Sequence, residues 1–165
     1  MVTIRVGLGY DVHPFDAERS LVLGGVHLDG PGLRGHSDAD AVAHAVSDAV
    51  LGPAGLPDLG TLFPASDERW KGADSMALLG AVAERAAAER WSILNVDVVI
   101  VAETPQLGPH TAAMAANLVA VLGAAHRPMG DPVHVGVKAK RGEGLGAIGR
   151  AEGIAVHAVA LLEWA

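Results

Sequence analysis

The chain has 165 residues, half of them hydrophobic, with 12 basic against 19 acidic residues and a formal charge of −7. That length suits a single domain, 1–165, with one core, and the acidic balance argues against a nucleic-acid partner, whose counterions only clustered Lys and Arg displace. The absence of cysteine excludes disulfides, thiolate metal sites and a cysteine nucleophile, and leaves His, Asp and Glu as metal ligands.

Apolar stretches such as Ala112 to Ala116 fall well short of a membrane span, and Met1 to Gly9 lacks the charged start and apolar block of a secretion signal. A soluble, cytoplasmic protein without a membrane partner is the expectation. The apolar surplus suggests either surface hidden between subunits or an Ala-rich core.

Along the chain, Val2, Ile4, Val6 and Leu8 alternate with Thr3, Arg5 and Gly7, which predicts a half-buried strand leading into Tyr10-Asp11-Val12-His13. Leu21 to Leu28 is interrupted by Gly24-Gly25 and reads as short extended segments around a bend or bulge. Ser37 is positioned to open a helix, with Asp40 three residues on as a capping-box acid and Gly52 as its stop. Residues 56–72, rich in Pro, Gly and Asp, read as a functional loop. Ser75 to Arg90 reads as an amphipathic helix, Asn95 to Ala102 as a central strand, and Pro109 as the first turn of a helix ending near Gly123. Val133 to Lys138 and Ile154 to Leu162 supply two more strands. The order β, α, α, β, α, β, β predicts an α/β fold: a single-domain mixed β-sheet with helices packed on one face.

The chemistry concentrates early. Residues two apart on an extended backbone point to one side, so Asp11 and His13 can converge on one cation. Asp40, His44 and Asp48, spaced by four, share one helix face, whose ordinary reading is a solvated surface. Asp11, His13 and His44 together make an N,N,O donor set with an open position, as in catalytic zinc sites. The same set suits non-haem iron and an oxygenase. His27, His110, His126, His134 and His157 stand singly and are expected at the surface or satisfied in the core. GEGLGAIGRAEG, from Gly142 to Gly153, could wrap amides around phosphate, with Glu143 for a hard cation such as magnesium, although a plain flexible loop fits it equally well.

Read together, G-Y-D-V-H at 9–13, H-S-D-A-D-A-V-A-H-A-V-S-D-A at 36–49, D-L-G-T-L-F-P at 58–64 and G-A-D-S at 72–75 resemble the 2-C-methyl-D-erythritol 2,4-cyclodiphosphate synthase family. Later blocks at 102–110, 137–139 and 149–153 extend the resemblance over nearly the whole chain. It implies a lyase of the non-mevalonate isoprenoid route, which converts a cytidine diphosphate-linked methylerythritol 2-phosphate to a cyclic diphosphate and releases CMP. It also implies a homotrimer with active sites between adjacent subunits.

By position, the resemblance makes Asp11, His13 and His44 ligands of zinc or another divalent cation, and Glu143 the holder of magnesium or manganese on the substrate diphosphate. His36 becomes the histidine that stabilises the transition state. His36, Ser37, Asp58, Leu59, Gly60 and the loop from Phe63 to Asp67 would line the methylerythritol phosphate pocket. The turn with Ala102, Pro105, Gln106, Leu107 and Gly108 would cradle cytidine, and Ala139, Lys140 and Arg141 would also contact the substrate. Arg150 would face an axial cavity.

The sequence departs from the family at four places. Lys140-Arg141 stands where a Thr-Thr pair is usual, Ala65 where Asp is common, Gln106 where Lys is common, and Ala147 in place of a Phe near the trimer axis. Arg141 is expected to give the α-phosphate a charge-assisted bond in place of a neutral one. A binding protein that has lost turnover is the alternative that this pair leaves open.

Overall fold

The computed structural model describes residues 2–125 and 132–164, so the expectation for His126 lies outside the described residues. Five strands, β1 (Thr3–Leu23), β2 (Val26–Leu33), β3 (Trp91–Val101), β4 (His134–Lys140) and β5 (Gly153–Trp164), form one sheet in the order β2-β1-β5-β3-β4. Among the described residues only the β3–β4 pair is parallel. Helices α1 (Ala41–Ala54), α3 (Ser75–Ala88) and α4 (Thr111–Ala124) join one-turn helices α2 (Leu59–Leu62) and α5 (Gly146–Gly149).

β1 is far longer than its alternating stretch predicts. It pairs with β5 from Thr3 to Pro14 and then with β2 from Phe15 to Leu23, crossing a polar stretch that carries no strand pattern. Gly24 and Gly25, both at positive φ, turn β1 into β2 between the paired Leu23 and Val26. Two such residues are what a tight two-residue hairpin turn requires.

The expected inward face of β1 is reversed. Gly7 and Gly9 face α1, and a Cβ on Gly9 would lie 1.8 Å from the Ala45 carbonyl oxygen. The helix therefore rests on bare backbone, and Ile4, Val6, Leu8, Tyr10 and Val12 point the other way, where Val6 and Leu8 are 68% and 70% exposed. On β5, Ile154, Val156, Ala158, Ala160 and Leu162 face the helices and are buried, and so are Val96, Val98 and Ile100 on β3.

The ends of α1 differ from expectation too. Asp40, not Ser37, is the N-cap and accepts from the amides of Val42 and Ala43. The helix runs through Gly52 and Pro53 and stops at Gly55, whose positive φ closes it. Asp40 is fully buried and also accepts from Gly24 and Gly25, which ties the β1–β2 turn to the helix start. Burial pushes its pKa up against these amide bonds. The polar helix stripe is thus a buried joint at Asp40, not a wet face. Residues 56–72 hold α2 and a 3-10 turn at Glu68–Trp70. β3 starts at Trp91, ahead of the expected Asn95.

Candidate functional site

Asp11 and His13 leave β1 on its helix side, because they continue the face of Gly7 and Gly9, and the close approach of α1 brings His44 onto them. The His13 Nε2 lies 2.9 Å and the His44 Nδ1 3.1 Å from the Asp11 Oδ2, and the two nitrogens are 3.3 Å apart. The far nitrogens are also engaged. The His13 Nδ1 is 2.6 Å from the Arg34 carbonyl oxygen, and the His44 Nε2 is 2.9 Å from Ser75 Oγ and 3.1 Å from Ser37 Oγ.

A carbonyl only accepts, so the His13 Nδ1 carries a proton and its Nε2 lone pair faces Asp11 unless a second proton binds there. Three donor atoms crowded this closely need a cation among them, either a proton or a metal ion. Among the described residues, Asp11, His13 and His44 form the one His/Asp/Glu group close enough to hold an ion, a candidate metal-binding triad.

The charges agree with that geometry. Burial works to raise the Asp11 pKa, but its contacts with His13 and His44 and their attraction hold it at about 2. Burial works to lower the His13 pKa, and the bond and attraction to Asp11 outweigh it and raise it above its ordinary value.

Loops close around the triad. The Arg19 guanidinium donates to the carbonyls of Gly35 and Ser37, pinning the backbone on both sides of His36. The His36 Nε2 reaches the Asp67 carbonyl at 3.2 Å, and Gly72 donates to the His36 carbonyl at 2.8 Å, so residues 56–72 fold back over His36. Phe63 meets Trp70 edge to face, with ring centroids 5.0 Å apart. Asp58 caps α2 from the surface through the Thr61 amide, and the Leu59 amide donates to Asp48 at 2.8 Å. Asp48 therefore anchors α2, and burial raises its pKa. Gly60 and Ala65 are exposed.

A second concavity of about 420 Å³ is lined by Ala102, Pro105, Gln106, Leu107, Gly108, Ala139, Lys140 and Arg141, together with Glu103. The five residues expected to cradle cytidine and the three further expected substrate contacts, Ala139, Lys140 and Arg141, are therefore gathered. Glu103 is an addition: its carboxylate accepts from the Arg141 guanidinium, which together with the Gly144 and Gly142 amides holds it below the usual carboxylate range. Glu143 follows at a left-handed φ of 51° and stands outside the triad. Arg150 pairs with Glu152 at 2.6 Å beside α5, where Ala147 lies.

Both concave regions occupy one end of the sheet. Asp11 pairs with Val156, which pairs with Ile100, and Ile100 pairs with Ala139. The residues missed from sequence are Arg19, Arg34, Asp38, Ser75 and Glu103. Arg34 acts through its carbonyl and Ser75 lies in a helix start, so neither leaves a residue-type signal.

Residues 4–163 match the YgbB family. The bifunctional enzyme IspD/IspF of Anaeromyxobacter dehalogenans is 50% identical over 159 residues, which are 96% of this chain and 40% of that protein. The chain thus spans two fifths of that bifunctional relative. The 2-C-methyl-D-erythritol 2,4-cyclodiphosphate synthase of Bordetella avium is 50% identical over 98% of this chain and 96% of its own length. Among solved structures, bifunctional IspDF from Campylobacter jejuni superposes with a TM-score of 0.90 at 37% identity, over 100% of this chain and 43% of that one. The IspF–CDP complex of Plasmodium falciparum gives 0.80 at 32% identity, over 98% and 96%. With the fold, the triad and these relatives in agreement, the chain belongs to the YgbB family, that of the 2-C-methyl-D-erythritol 2,4-cyclodiphosphate synthases.

Proposed function

We propose that this chain, as one domain over 1–165, closes 4-CDP-2-C-methyl-D-erythritol 2-phosphate to 2-C-methyl-D-erythritol 2,4-cyclodiphosphate and releases CMP. The observation that carries this is the convergence of Asp11 Oδ2, His13 Nε2 and His44 Nδ1 on one small space. Two imidazole nitrogens and one carboxylate suit zinc or another divalent cation, and leave a position for a phosphoryl oxygen. Bound there, the ion supplies Lewis-acid polarisation of that oxygen.

The chain's own groups do the rest by positioning. An oxygen of the substrate's 2-phosphate forms a bond to the β-phosphorus, the bond from that phosphorus to the bridging oxygen breaks, and the electron pair leaves with CMP. No protein nucleophile enters, so rate comes from alignment and charge. His36 and Ser37, pinned by Arg19, hold the methylerythritol phosphate and stabilise its charge; Asp58, Leu59, Gly60, Phe63 and Asp67 shape that pocket. The cavity from Ala102 to Gly108, with Ala139 opposite, takes cytidine, in keeping with the CDP of the Plasmodium falciparum relative. Lys140 and Arg141 neutralise the departing α-phosphate, and Glu143 holds magnesium or manganese with the diphosphate.

A homotrimer with sites between subunits goes with this function. The uncovered strip of Ile4, Val6, Leu8, Tyr10 and Val12 supports it, since an apolar sheet face of this length left to water favours association. No helix among the described residues is long and apolar enough to cross a membrane, in keeping with a proposed cytoplasmic location.

The test is incubation of purified protein with substrate, following CMP by chromatography and the cyclic product by phosphorus NMR. Turnover lost to a chelator and restored by zinc is the expected result. Nucleotide binding without CMP release would mean a silent binding protein, and ferrous-dependent oxygen uptake would mean an oxygenase.

Metal entry should release protons. The metal-free site favours protonated His13 beside ionised Asp11, and zinc requires a bare Nε2. The sign follows from the two shifts. Asp11, lowered from 3.8 to about 2, stabilises the metal-free fold above the ordinary value and ceases to as pH falls through about 2. His13, raised above 6.5, stabilises it below that pH and ceases to as pH rises through its folded value. Zinc affinity should therefore climb as pH rises through the folded value of His13, above 6.5, and calorimetry in buffers of different ionisation enthalpy should detect the released proton.

A further inference from the structure

The triad does not end at its three ligands. Ser75, 1% exposed at the start of α3, places its Oγ 2.9 Å from the His44 Nε2, 3.0 Å from Ser37 Oγ and 2.5 Å from the Asp38 Oδ1. The Ser75 amide also donates to the Asp38 Oδ2 at 3.2 Å, so both Asp38 oxygens grip one residue.

The proton count fixes the direction of this chain of contacts. A carboxylate accepts and a hydroxyl has one proton to give, so the Ser75 proton goes to Asp38. The Ser75 oxygen is then left only with acceptor capacity, and both the Ser37 hydroxyl and the His44 Nε2–H donate to it. The proton of His44 is thereby held on Nε2, and its Nδ1 lone pair is turned toward Asp11 and His13. Asp38 lines an open cavity of about 540 Å³ with Gly25, His27 and Asp74.

We propose that Asp38 and Ser75 are positioning residues which, acting through His44, fix its tautomer and so prepare the site for its metal. This rests on the triad being a metal site. It departs from the assignment by resemblance, in which Ser37 serves substrate alone: here Ser37 is also the second donor to Ser75. The His13 side has its counterpart in the Arg34 carbonyl, so each ligating imidazole is oriented from behind by an acceptor.

The experiment compares wild type, Ser75→Ala and Asp38→Asn, each purified whole and stripped of metal. Zinc affinity is read by competition with a chromogenic chelator, the imidazole tautomers by nitrogen-15 NMR of histidine-labelled protein, and the metal-free melting temperature by circular dichroism. Loss of an orienting partner of this kind weakens metal binding about 10- to 100-fold. Both variants should show that loss, with the His44 signal moving from the Nε2–H form to a mixture. Asp38→Asn should do so because its amide can donate to Ser75 and reverse the chain.

Unchanged affinity with an unchanged tautomer in both variants overturns the proposal. So does a lowered metal-free melting temperature with zinc affinity intact, which is the signature of a purely structural joint. If wild type itself binds no zinc, the metal assignment fails, and the tautomer measurement still decides whether Asp38 and Ser75 orient His44.

Discussion

Gly9→Ala should lose metal binding and turnover together, from a position outside both the triad and the lining of the Ala102–Arg141 cavity. The added Cβ would sit 1.8 Å from the Ala45 carbonyl oxygen and 2.8 Å from the Ala49 amide nitrogen, both backbone atoms of α1. Backbone cannot rotate away as a flexible side chain does, so the helix as a whole must retreat from β1. Overpacking of this kind costs about 1–3 kcal/mol and occasionally more. The functional loss should be larger, because His44 rides on that helix and its Nδ1 must stay near Asp11. A misplacement of about 1 Å at a reacting centre costs about 100-fold.

Gly52→Ala is the control in the same helix. Its Cβ meets nothing within 4 Å, and its φ is not in the left-handed region. It should leave activity alone and stabilise the helix by about 0.5–1 kcal/mol. Urea unfolding, zinc titration and CMP release on the three proteins test the pair of expectations. Wild-type zinc affinity in Gly9→Ala would show that α1 is not held at its present distance by the glycine.

That dependence explains what the sequence reveals and what it withholds. Asp11, His13 and His44 are legible because donor chemistry and spacing are local: two residues apart on a strand, and one position on a helix. The direction in which β1 faces is not. Alternation of Val, Ile and Leu with Gly and Thr is the pattern of an apolar face turned to a core, yet here glycines admit the helix and the apolar side is left uncovered. The period is read correctly and the side is not, since nothing within a strand says which face a helix will take. The start of α1 fails for a related reason: Ser37 and Asp40 are both good caps, and tertiary bonds from Gly24 and Gly25 favour Asp40. Ser75 and Arg34 act through a distant hydroxyl and a carbonyl, which no motif at 11–48 encodes.

The second large effect is expected at Arg141. Its guanidinium is paired with Glu103 at the rim of the cavity. Glu103 is the more enclosed partner, with 17% of its side chain exposed against 66% for Arg141, so the carboxylate acts as the fixed post and the guanidinium as the arm. One carboxylate oxygen of Glu103 takes both bonds from the Arg141 guanidinium. Such a pair is easily remade when a phosphate arrives, because Arg presents more donors than Glu103 occupies.

Arg141→Ala should therefore lower kcat about 100- to 1,000-fold, the range for removing one preorganised donor to developing charge. Arg141→Lys keeps the charge without the fork and should fall between. Glu103→Gln should raise KM more than it lowers kcat, because it loosens the resting arm and leaves its reach toward the leaving group intact. Steady-state CMP release at saturating and limiting substrate separates these outcomes. Faster turnover in Arg141→Thr than in wild type would show that a hydroxyl serves the α-phosphate better, and that Arg141 is not its partner.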